Sequence, residues 1–82
     1  MRLLLDSSAI IFSFVHGESN SRIVFDLILA GKIQGVVSEK ALVEVKRVLG
    51  NLFSTQAAHV AVAVIKRYFE VVPKARVEKE LM

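Results

Sequence analysis

Two carboxylates stand out by their place in the pattern. Asp6 closes a short apolar run, RLLLD at 2–6, and Ser7, Ser8 and a second apolar run follow it. A run of that length bounded by an acid predicts a buried parallel strand with Asp6 as its last residue. In open parallel sheets, ligands bind beyond the carboxyl ends of the strands, so Asp6 emerges where chemistry is usually placed. The same position suits an acid that caps the next helix, and position alone does not choose between these roles. Glu44 lies in EKALVEVKRVL at 39–49, where Ala41, Leu42, Val45, Val48 and Leu49 form one apolar stripe. On a helical wheel it falls ~90° from the centre of that stripe, where a glutamate can reach inward over the sheet edge. Its plainer role is a solvated helix flank, pairing with Lys40 four residues earlier.

The elements that must position these groups follow from caps and spacing. Ser7 or Ser8 can cap a helix running through AIIFSFV; a second strand there would lack a turn after Leu5. HGESNS at 16–21 reads as a loop, with Ser19 or Asn20 as the next cap. Ile23, Val24, Leu27 and Ile28 then recur at helical spacing, and Gly31 ends that helix. IQGVVS at 33–38 predicts a second strand, its Gly35 marking a close backbone approach. Ser38 caps a third helix, which Gly50 and Asn51 stop. A fourth helix covers 54–68, and FEVV at 69–72 is a third strand closed by Pro73. The charged segment 74–82 reads as a partial helix or a frayed tail. The order β-α-α-β-α-α-β predicts an α/β domain whose parallel sheet is covered on both faces.

Composition narrows the classes. The 82 residues make one small domain, of a size that buries about two-thirds of its unfolded surface. Hydrophobic residues reach 54%, above the usual range of about 45–50%. The excess predicts apolar surface that meets a partner chain or a further part of the fold. No apolar run approaches the ~20 residues of a membrane span. The first residues do not read as a secretory leader, because an acid stops their three leucines. A cytoplasmic location is expected. The absence of cysteine excludes disulfides and thiolate metal sites. Net charge is +3, divided as −1 over residues 1–39 and +4 over 40–82. The basic half permits nucleic-acid contact, and equally suits ordinary solvated helix faces.

Together, LLLDSSAII and VVSEKALVEVKRVL resemble the N-terminal half of a PIN domain. PIN domains are small α/β nucleases, many of them toxins of toxin–antitoxin pairs. The first stretch has the family's order of apolar strand, aspartate, small hydroxyl residue and apolar helix. The second has a strand ending in serine and a glutamate six residues later. SRIVFDLILAGKI resembles the family's second helix and its glycine turn. The likeness covers residues 2–73. It implies a three-layer parallel sheet of order 3-2-1-4-5, truncated here to about three strands with flanking helices. Residues 1–82 would then be a single partial domain.

The resemblance also implies a ribonuclease that hydrolyses phosphodiesters with metal-activated water. Asp6 and Glu44 would be the metal ligands for Mg²⁺ or Mn²⁺, and Ser7 would assist by hydrogen bonding. These three are the catalytic candidates. The family's further acids follow the third strand; here only Glu78 and Glu80 follow Pro73, and VEKELM does not resemble that motif. Weak metal binding and weak or absent cleavage are therefore expected of this chain. RNA and an antitoxin protein are the partners implied. An unpaired apolar edge on the first strand predicts a homo-oligomer through that edge. The rival reading is a non-catalytic oligomerisation or nucleic-acid-binding module that keeps half of the fold. A receiver-like signalling domain ranks last, since a serine follows Asp6 where that family wants an adjacent acid.

Other residues weigh less. His16 reads as a solvated loop residue and His59 as a packed one with its nitrogen bonded. Glu18 and Asp26 are secondary acid candidates. Lys46, Arg47, Lys66 and Arg67 form either a phosphate-facing patch or solvated helix faces. Tyr68 and the five phenylalanines read as core. No glycine-rich phosphate loop and no nucleophile–His–acid triad is present.

Overall fold

Each helix starts on an oxygen side chain that accepts a hydrogen bond from the backbone N–H three residues later. Asp6, Ser19, Ser38 and Ser54 accept from Ala9, Arg22, Ala41 and Ala57 at 2.8–3.1 Å. Such caps satisfy one of the donors that a helix start leaves unpaired. In the computed structural model, which describes residues 1–17 and 19–73, they open four helices between three strands. The order is β1 (Arg2–Leu4), α1 (Ser7–Val15), α2 (Asn20–Leu29), β2 (Gln34–Ser38), α3 (Glu39–Leu52), α4 (Thr55–Tyr68) and β3 (Phe69–Val72). Glu18, Glu78, Glu80 and the expected tail at 74–82 lie outside the described residues.

Beyond one-residue shifts at the starts of β2 and α4, three boundaries differ from the sequence reading. Asp6, not Ser7 or Ser8, caps α1, because its carboxylate reaches the Ala9 N–H. β1 ends at Leu4 rather than at Asp6, although Leu5 N–H still bonds the Val36 carbonyl at 2.9 Å. α3 runs through Gly50 and Asn51 to Leu52. Gly50 does not stop it, because its surface faces α4, where a Cβ would meet only Ala58 Cβ at 3.8 Å. Gly31 does end α2. Its φ of 78° lets the N–H groups of Gly31 and Lys32 close on the carbonyls of Ile28 and Leu27.

The sheet order is β1-β2-β3, with both pairs parallel. Leu3 pairs Gly35, and Gly35 pairs Phe69, so these three residues share a face. One core covers that face. Ile10 of α1, Phe25 and Ile28 of α2, Val45 and Leu49 of α3, and Ile65 of α4 pack there with Val37 and Phe69. Right-handed crossovers that advance in one direction along a sheet place their helices on one face. The described residues thus supply the sheet and one helix layer, where the element order predicts cover on both faces. Val36 and Val72 point to the opposite face and are also buried, outside that core cluster. On the same side Arg2 of β1 reaches Glu70 of β3 in an ion pair that bridges β2. Gly35 makes the helix approach feasible: a Cβ there would stand 2.8 Å from the Phe69 ring and 2.9 Å from Ile28 Cδ1.

Candidate active site

β1 and β2 are neighbouring parallel strands, so their carboxyl ends open at the same rim. α1 leaves from the first and α3 from the second, and the two helices pack on each other. This brings Asp6 and Ser7 against Ser38, Lys40 and Glu44 around a cleft of about 290 Å³. Asp6 spends Oδ1 on the Ala9 N–H at 2.8 Å. Ser7 Oγ donates to Glu44 Oε2 at 2.7 Å, which ties the start of α1 to the second turn of α3. Glu44 Oε1 lies 3.9 Å from the Arg47 guanidinium. Both acids are exposed, and so is Lys40.

The sequence profile of the PIN domain matches residues 2–82. The chain belongs to the PIN domain family. Searches of curated proteins and of solved structures return no match. Membership supports a nuclease-type function in general terms, and PIN domains generally bind divalent metals. The donors in this PIN domain's cleft suit such an ion in kind: two carboxylates and a hydroxyl are hard oxygen ligands. Mg²⁺ is commonly held by one or two carboxylates while keeping several waters. Among the described residues no group of three or more His, Asp or Glu side chains is placed to hold a metal. The fit is therefore that of an open, water-rich site rather than a protein cage.

Lys40 is the cleft residue whose position the sequence reading missed. The available signal was a cation in the first turn of a helix, where the helix dipole disfavours it. The other candidates lie away from the cleft. Asp26 pairs with Arg22 at 3.1 Å on the exposed side of α2. The His16 ring packs 4.3 Å from the Phe12 ring, in a loop that is exposed. His59 is exposed on α4 instead of packed, because the inward positions of that helix fall to Ala58, Ala61 and Ile65. Phe12, Phe53 and Tyr68 are likewise exposed rather than core. Phe14, Phe25 and Phe69 do pack as one aromatic row, with centroids 5.2 and 5.5 Å apart.

The candidate patch of Lys46, Arg47, Lys66 and Arg67 divides. Lys46 and Arg47 line a groove between α3 and α4. Arg67 borders a hollow of about 500 Å³ with Lys32, Gln34 and Tyr68, at the amino ends of the strands. No helix among the described residues is long and apolar enough to cross a membrane.

Proposed function

We propose that this PIN domain is a metal-dependent endoribonuclease of the toxin type, with Asp6 and Glu44 as the ligands of Mg²⁺ or Mn²⁺. The observation that supports it is the shared cleft, in which two acids 38 positions apart in the chain stand with Ser7 and Lys40. A bound cation would supply activated water and charge stabilisation for phosphodiester hydrolysis. The chain's own residues do the rest. The cap bond engages the Asp6 side chain through Oδ1, and Oδ2 would be the ligand oxygen. Ser7 holds Glu44 in place through Oε2. Lys40 also lines the cleft, and its ammonium would meet an entering phosphate. In this reading the substrate is RNA, the regulatory partner is an antitoxin protein, and the setting is the cytoplasm.

Calorimetric titration with Mn²⁺ tests it. Millimolar binding is expected, lost in Asp6→Asn and in Glu44→Gln, together with Mn²⁺-dependent cleavage of single-stranded RNA that is weak at most and is lost in the same variants. Absence of Mn²⁺ binding to the unmodified chain would instead favour a non-catalytic oligomerisation or nucleic-acid-binding module.

A further inference from the structure

We propose that the groove between α3 and the start of α4 guides the RNA backbone into the cleft. Lys46, Arg47, Asn51 and Thr55 would contact its phosphates and sugar hydroxyls. This track takes the cleft as an RNA-cleaving site, as proposed above.

The groove holds about 370 Å³. Two cations, an amide and a hydroxyl line it, and no carboxylate does. Its second wall, α4, carries no acidic residue at all over Thr55–Tyr68. Phosphates therefore meet positive charge along the groove's lining, with Glu44 of α3 the nearby acid at its cleft end, and the amide and hydroxyl suit a ribose 2′-OH. Val43, 69% exposed, and Gly50 give the groove an apolar floor against which a sugar face can lie.

Continuity with the cleft is the second observation. Lys40, Glu44, Arg47 and Asn51 fall at successive turns of α3 and so form one ridge. The first two border the cleft and the last two border the groove. From Lys40 to Asn51 the ridge climbs ~16 Å at the helical rise, room for a short run of nucleotides. Arg47 sits at the junction. Its contact with Glu44 is long, at 3.9 Å, and both side chains are about half exposed or more. Such a pair is weak, so Arg47 can exchange it for a phosphate at little cost.

The test reads binding rather than cleavage. A short unstructured oligoribonucleotide is titrated by fluorescence anisotropy in EDTA over a series of salt concentrations. Lys46→Ala and Arg47→Ala should each weaken binding and flatten the log K against log salt slope by about 0.7. Lys32→Ala, at the opposite end of the sheet, should leave both unchanged, and circular dichroism should show all three variants folded. Loss of neither affinity nor slope in Lys46→Ala and Arg47→Ala overturns the track. So does an equal loss in Lys32→Ala, which would mark a generic basic surface, and so does no RNA binding by the unmodified chain. A flattened slope without any Mn²⁺-dependent cleavage would keep this RNA interface and overturn the nuclease reading alone. Cleavage with unchanged slopes would do the reverse.

Discussion

The Asp6 carboxylate has two tasks, and chemistry can separate them. As a cap it needs only an oxygen acceptor, which asparagine also provides. As a cation ligand it needs the negative charge. Asp6→Asn should therefore unfold within about 0.5 kcal/mol of the unmodified chain yet show no Mn²⁺ heat. Asp6→Ala should lose the heat and also about 1 kcal/mol of stability, since the Ala9 N–H goes unpaired. Urea denaturation beside calorimetry checks both; equal stability of the two variants would show that the cap bond contributes nothing. Ser7→Ala keeps both acids but releases Glu44 from its 2.7 Å bond. Loss of such an orienting partner should lower Mn²⁺ affinity about tenfold. A helical wheel puts Glu44 at the margin of its apolar stripe, where a solvated flank and a cleft position are both open, and the family resemblance singles it out. The sequence could not reveal that Ser7 bonds Glu44, because that contact depends on how α1 and α3 cross.

At the scale of elements, two glycines respond in opposite directions to the same added methyl. At Gly35 the new Cβ would press on Phe69 and Ile28 at under 3 Å. Gly35→Ala should therefore cost about 1–3 kcal/mol through overpacking. At Gly50 the nearest atom is 3.8 Å away and the backbone is helical. Gly50→Ala should add about 0.5–1 kcal/mol through helix propensity. Shifts of the urea midpoint at constant slope measure both, and a stabilised Gly35→Ala would mean that β2 and α2 are less tightly packed than described. These residues also show where sequence reading succeeds. Strand count, helix count and most caps were legible, because short apolar runs, a Ser or Asp before each helix, and the Gly31 turn are local signals. The end of α3 was not, because whether a glycine stops a helix depends on the neighbour that packs on it, here α4. Exposure of His59, Phe12 and Phe53 was hidden for the same reason: an aromatic ring does not announce which side of its helix finds a partner.

For the whole molecule, the edge of the sheet is the feature with the widest effect. Among the described residues, no strand pairs with β1 on the side away from β2. Parallel strands alternate the direction of their backbone groups. Leu5 N–H and the Met1 carbonyl bond β2, so the Leu4 N–H faces the outer edge. An apolar edge of this kind recruits another strand, and we propose that a second copy supplies it. Light scattering should then find a dimer or larger, and Leu4→Pro, which removes an outward donor and spares the β2 ladder, should shift it to monomer. A monomeric unmodified chain at high concentration would rule this pairing out. The hollow at the amino ends of the strands has a practical corollary. The chain has no tryptophan and a single tyrosine, and that ring stands beside Lys32 and Arg67, at the far pole from the acids. Its ultraviolet emission will register separation of the helix layer from the sheet while staying blind to ions arriving at the opposite pole, so a silent optical titration with Mn²⁺ says nothing about occupancy.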